Sequence, residues 1–273
     1  MKMVIRELFS RKDLIKELVS RDLRVRYSRP YLGFLWTFLS PFFTATVFYF
    51  VFSIFLKVRI EGVPFFLYLL SAIFAWSFFQ DSLINSSTSL IQNKNLIRES
   101  NFPHYLIPVA IVTANMVNLL PSLVVTIVIC ALTIKGIPFF VLLLPLVIVL
   151  HWGTTVGLSI IFSIIYVRWR DIRYLLEVAL LFLFYLTPVV YSLTMVREAL
   201  PMSAFIIYMC NPFVAILNLY RISILKGFYL LIREYATVMN MMLAVVLFAC
   251  AALIAGFCMY QRTKRWINDY LSY

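Results

Sequence analysis

The chain has 273 residues, 63% of them hydrophobic, and carries a formal net charge of +12; its mean hydropathy is +0.94. Soluble domains are about 45–50% apolar, so an ordinary soluble fold is excluded and most of the chain must lie in a bilayer. There every backbone polar group needs an internal partner, which leaves helix bundles and closed barrels, and the long unbroken apolar runs exclude the barrel. The positive charge flanks those runs, where Lys and Arg set orientation, and so does not point to nucleic acid.

Residues 1–31 are predicted to form an amphipathic helical arm. Val4, Leu8, Ile15, Leu18, Val19 and Leu23 approximate a helical stripe, with basic and acidic residues on the remaining surface. Such a helix lies in the membrane interface without crossing it, or packs on a partner as a solvated arm. Arg21, Arg24, Arg26 and Arg29 charge its end, Pro30 interrupts it, and Trp36 stands where the chain turns apolar, the level an amphipathic ring prefers. Together these residues mark a mouth on the cytoplasmic side.

Six spans are expected at about 32–56, 65–85, 107–134, 139–167, 174–193 and 238–260, against the ~20 residues that cross ~30 Å of hydrocarbon. Pro41 interrupts the first and Pro121 bends the third. The second turns polar at Gln80 and Asp81 and through 85–89, as if it leaves the bilayer near Asn85 and continues into the cytoplasm. The charged segments 93–103 (NKNLIRESNFP) and 168–173 (RWRDIR) are the inner loops. Before the last span, 204–209 and 213–225 are apolar but too short to cross; separated by Asn211 and Pro212, they suit short re-entrant helices on the outer side. The fold class is therefore an all-α integral membrane protein: a 1–31 arm, a 32–260 six-span domain and a 261–273 basic tail. Lys and Arg concentrate in the arm, the inner loops and the tail, which puts both termini in the cytoplasm. With the arm charged and no early apolar core, no cleavable signal peptide is expected.

Candidate chemistry is sparse. None of the seven glycines belongs to a GxxxxGK phosphate loop, so ATP hydrolysis would have to come from a separate subunit. Cys130, Cys210, Cys250 and Cys258 show no pairing pattern, and His104 and His151 fall on different sides of the membrane, so no disulfide, metal site or cofactor is expected. Asp81 and Glu177 are the acids nearest the bilayer; they are functional candidates, or they cap helices and pair with nearby arginines. Gly153 and Gly157 permit close helix approach, read here as packing inside the bundle. On the first and fifth spans, Tyr49, Phe52, Phe184, Tyr185 and Tyr191 could line a path on which sugar rings stack, the alternative for each being lipid contact or helix packing. Asn93, Lys94, Arg98 and Glu99 lie on a charged, helix-prone loop placed to receive force from an external motor, or on a plain connector.

The order of residues in 21–42, RDLRVRYSRPYLGFLWTFLSPF, carries a more specific signal. A basic R-D-L-x-x-R-Y segment, a short break, then L-G-x-L-W-x-x-L-x-P resembles the membrane subunits of type-2 ABC exporters that move polysaccharides, the O-antigen, capsule and teichoic acid exporters. The architectural resemblance covers the whole chain. It implies a homodimer in the cell inner membrane, working with two copies of a separate ABC ATPase to export a lipid-linked polysaccharide from the cytoplasmic leaflet. It also implies that 1–31 is an interfacial helix, 93–103 the coupling segment and 194–237 the outer gate helices. Two other readings stay open: a type-2 ABC permease for a drug or other lipophilic small molecule, and a membrane-embedded enzyme acting on lipid-linked sugars. The latter lacks paired intramembrane catalytic groups.

Overall fold

The computed structural model describes residues 11–27, 33–60, 62–98, 102–136 and 138–272, with the side chains of 98, 265 and 268–272 outside that description. Arg29, Glu99, the Arg98 side chain, and the Val4 and Leu8 positions of the expected stripe therefore lie outside the described residues. Among those described, all regular structure is helical.

The arm is α1, Lys12–Tyr27. α2, Leu35–Phe48, passes directly into a π-helical stretch, Tyr49–Phe55. Pro41 removes a backbone donor inside α2, while the hydroxyls of Thr37, Thr44 and Thr46 donate to carbonyls three or four residues back. α3, Phe65–Ser87, is followed by the short helices α4 (Ser89–Gln92) and α5 (Lys94–Arg98). α6, Leu106–Ile134, ends in a tight turn at Lys135 and Gly136, with φ of 50° and 144°, both in the region that disfavours a Cβ. A 3-10 turn, Phe139–Leu143, leads into α7, Leu144–Arg168. Then come α8 (Ile172–Tyr185), α9 (Leu193–Ala199), α10 (Met202–Met209), α11 (Pro212–Ile224), α12 (Phe228–Ile232) and α13 (Val238–Ser272).

Five helical stretches are long and apolar enough to cross a membrane, or six if α10 and α11 count as one broken span. Five correspond to the first, second, third, fourth and sixth expected spans. The fifth differs: α8 has 14 residues, about 21 Å at 1.5 Å per residue, and the chain turns at 186–192. Pro188 disfavours helical geometry at Thr187 and has no N–H to continue the ladder. α10 and α11 meet at a bend of 77°. Asn211 makes the break by accepting from Phe213 N at 3.0 Å, with Pro212 in the first turn of α11.

α3 is the hub, packed on α2, α6, α7, α8 and α11. It is apolar on all sides for most of its length and is buried accordingly. In the polar run 85–89, beyond the exposed Asn85, the side chains of Ser86, Ser87, Thr88 and Ser89 are buried in the bundle. Each hydroxyl bonds to a carbonyl three residues back, so these small residues need no water and can sit close to neighbouring helices. α7 and α13 approach still more closely. A Cβ built on Gly157 would lie 2.3 Å from the Ala252 backbone, and one on Gly256 would lie 2.7 Å from the Gly157 carbonyl oxygen. Gly157 therefore does serve close packing within the bundle, whereas a Cβ on Gly153 would meet only Leu253 Cδ1 at 3.5 Å, an ordinary contact. α1 lies along α6 with Leu18 buried, and Leu14, Ile15 and Val19 pack against the core. The described arm thus docks on its own bundle.

Candidate functional site

A cavity of about 720 Å3 opens between α2, α3, α6 and α8. Each helix contributes residues three or four apart, the spacing that shares one face. α2 gives Trp36, Ser40, Thr44 and Phe48; α3 gives Ile73, Ser77, Asp81 and Asn85, with Trp76 and Gln80 beside them. α6 gives Asn115, Asn118 and Ser122, and α8 gives Glu177, Leu181, Phe184 and Tyr185. Because neighbouring helices run in alternating directions, the charged and amide residues gather at one end and most of the rings at the other.

Arg26 of α1 reaches into the charged end. Its Nη1 donates to Asn115 Oδ1 at 2.6 Å and its Nε pairs with Asp22 Oδ2 at 2.9 Å, while Asn115 Nδ2 donates to Ser82 Oγ at 3.1 Å. The chain of contacts ties the arm to α6 and α3. Burial raises the Asp22 carboxyl above its ordinary range, against the opposing pull of Arg26 and then Arg21. A second cavity of about 190 Å3 shares Arg26 and Asn85 with the first and adds Asp22, Thr88, Gln92 and Arg173. Arg26 therefore stands where the two spaces meet. Arg173 Nε bonds Glu177 Oε1 at 3.1 Å in a half-exposed i,i+4 pair, and Glu177 also lines the chamber. Asp81 faces the cavity and makes no ion pair within 4.0 Å among the described residues.

At the other end the rings form a seam. Phe184 stacks on Phe48 at 5.6 Å between centroids and meets Trp76 edge-on at 5.5 Å, so one side chain of α8 joins α2 and α3. The Trp76 indole donates to Gln80 Oε1 at 2.8 Å. Among the lining rings, Tyr185 here and Trp36 at the opposite end of the chamber, in the first turn of α2, have free faces, 53% and 50% exposed.

The sequence-predicted residues divide accordingly. Arg26, Trp36, Phe184 and Tyr185 line the cavity; Tyr49, Phe52 and Tyr191 do not. Tyr49 meets Phe66 and Phe52 meets Phe48 in ring packing. Tyr191 lies in the turn after α8, where its hydroxyl donates to Tyr185 O at 2.7 Å. Arg24 bonds back to Ser20 O in its own helix. Arg21 Nη2 donates to Asn93 Oδ1 at 2.6 Å, so Asn93 is bound to the arm, and Lys94 begins α5 next to it. Trp76, Asn115, Asn118 and Ser122 escaped the sequence reading, and Gln80 was read only as the point where the second span turns polar. Their signal was the placement of amides and hydroxyls at helical spacing inside apolar runs.

A helical bundle whose membrane-crossing segments enclose a chamber charged at one end and aromatic at the other has the build of a membrane transport subunit. Residues 13–225 match the family described as ABC-2 type transporter, and the chain belongs to that family. It is similar to the O-antigen export system permease protein RfbA of Myxococcus xanthus, with 28% identity over 218 residues covering 80% of this chain and 82% of the relative. Two proteins of Klebsiella pneumoniae with the same description are 31% identical over 189 residues (68% of this chain, 71% of the relative) and 30% identical over 230 residues (83% and 85%). The chain is thus an integral membrane protein of a transport family, in line with the resemblance carried by residues 21–42.

Proposed function

We propose that this chain is the permease subunit of an ATP-driven exporter that moves a lipid-linked polysaccharide from the cytoplasmic to the outer side of the cell inner membrane. The observation that carries this reading is the chamber itself: amides, hydroxyls and carboxylates for sugar hydroxyls at one end, rings for the C–H faces of sugars at the other. The names of the relatives support the same substrate class. ATP turnover comes from a separate ABC ATPase, two copies per assembly, a partner that membership of the ABC-2 transporter family supports. The subunit works as a homodimer, the assembly that the family resemblance implies; exposed apolar residues of α2 (Phe43, Val47) and α8 (Val178, Phe182), helices that line the chamber, are open to lipid or to a second copy of the chain. Both termini are cytoplasmic, the crossings number six with residues 174–193, α8 together with the turn after it, as the fifth, and the α10–α11 pair is a re-entrant outer element.

The test is surface polymer in cells whose only copy carries a substitution. Trp36→Ala and Tyr185→Ala are expected to lower export several-fold at normal abundance, by loss of about 1–3 kcal/mol of stacking if sugars behave as bases do on aromatic platforms. Phe184→Ala should instead lower abundance, because its ring is locked between Phe48 and Trp76. Normal polymer from both chamber variants would shift the reading to the permease for a lipophilic small molecule.

Force enters through Asn93, Lys94, Arg98 and Glu99. Asn93 donates to Ser89 O at 2.9 Å and accepts from Arg21, so a push at this junction reaches both α4 and the arm. Arg98→Glu combined with Glu99→Lys is expected to lower export while ATP turnover continues and insertion stays normal. Unaltered export would move the coupling role to the 168–173 loop.

A further inference from the structure

Arg221 is the largest fully buried side chain among the described residues, at 0% exposure, in the last turn of α11. A buried guanidinium ordinarily needs a carboxylate, and among the described residues it has none within 4.0 Å. Part of its compensation comes from other groups, while Nε and Nη1 are buried with no hydrogen-bond partner among the described residues. The guanidinium carbon lies 3.5 Å from the centroid of the Tyr68 ring, and Nη2 donates to Val189 O at 2.8 Å. The negative end of the α11 dipole adds a smaller attraction. It lines neither of the two cavities described above.

What it holds is the turn 186–192. Tyr68 donates through its hydroxyl to Tyr191 O at 2.6 Å, Asn211 Nδ2 donates to Thr187 Oγ1 at 3.3 Å, and Tyr191 donates to Tyr185 O at 2.7 Å. Tyr185 is the last residue of α8 and a free-faced ring of the chamber. A continuous set of contacts thus runs from α11 through Tyr68 and the turn to the chamber wall.

We propose that Arg221 is a positioning residue that pins the 186–192 turn and so fixes Tyr185 in the wall of the chamber. For transport this rests on the chamber being the substrate path; for geometry it does not. Only a cation with a donor can both stack on Tyr68 and bond Val189 O, so an apolar side chain of similar length cannot replace it.

The experiment compares Arg221→Lys with Arg221→Met in the full chain, with hydrogen exchange read in nanodiscs and export read in cells. Arg221→Met is expected to speed exchange of the 186–192 amides at least tenfold and cut export at least tenfold, while Arg221→Lys stays within threefold of the parent on both. Equal behaviour of the two variants would overturn the proposal, because it would reduce Arg221 to a space-filling role. If Arg221→Met does not accumulate, Tyr68→Phe, which keeps the ring and removes the bond to Tyr191 O, is read in the same way. Faster exchange is then expected, and unchanged exchange overturns the pin. Faster exchange with full export overturns the link to the chamber. Failure of the unsubstituted chain to export polysaccharide would sink the proposed function and leave the exchange result standing.

Discussion

Gly157→Val is expected to leave almost no folded protein in the membrane. Even the first carbon of the new side chain would lie 2.3 Å from the Ala252 backbone carbon, 2.5 Å from its oxygen and 2.6 Å from Leu253 N. These are atoms of a helix axis, and they cannot rotate away as a side chain can. Overpacking a core usually costs about 1–3 kcal/mol, and a clash with backbone at every nearby atom belongs at or above the top of that range. α7 and α13 would have to separate along the seam that joins the last span to the bundle. The control is Gly153→Ala, whose added carbon meets Leu253 Cδ1 at 3.5 Å, an ordinary contact. There the helical preference of alanine, up to about 1 kcal/mol over glycine, should offset any crowding. Membrane abundance and thermal unfolding of the purified chain decide the matter, and equal behaviour of the two variants would contradict the packing argument.

The second large effect is expected at Arg26. Arg26→Ala removes the bond to Asn115 and the pair with Asp22, two charge-assisted contacts in a part-buried setting. Hydrogen bonds to charged groups contribute about 1.5–3 kcal/mol each, and Asn115 Oδ1 would lose this partner. The same deletion removes the side chain standing between the two cavities, so α1 should loosen from α6 and the chamber should open wider at its charged end. Arg26→Lys should rescue little, because one ammonium cannot reproduce the forked geometry that serves both Asp22 and Asn115. Limited proteolysis of the arm and the melting temperature report the loosening. Unchanged values for Arg26→Ala would mean that the arm is held by Leu18 and its apolar neighbours alone.

Both cases show why the candidate site was only partly legible in the chain. Arg26 was readable as part of a basic mouth, because four arginines before an apolar run set orientation whatever they touch. That Arg26 alone reaches Asn115, while Arg21 goes to Asn93 and Arg24 folds back on its own helix, depends on how α1 is rotated against α6. The aromatic residues divided in the same way. Phe184 and Tyr185 face the chamber, whereas Tyr49 and Phe52 pack elsewhere, because α2 carries rings on more than one face and composition does not say which face turns inward.

Composition and order alone determined the all-helical membrane class, most of the helices long and apolar enough to cross a membrane, the break at Asn211 and Pro212, and the transporter family. Each of these follows from local quantities: the length of apolar runs, the geometry of proline, the charge beside a span, a motif within about twenty residues. Tertiary packing alone decided the burial of the 86–89 hydroxyls, the assembly of the polar face of α6 with Asp81 and Arg26, and the burial of Arg221. Inside a bilayer both lipid and protein are apolar, so hydropathy cannot tell a lipid-facing side from a helix-facing one. Only the contacts between helices distinguish them.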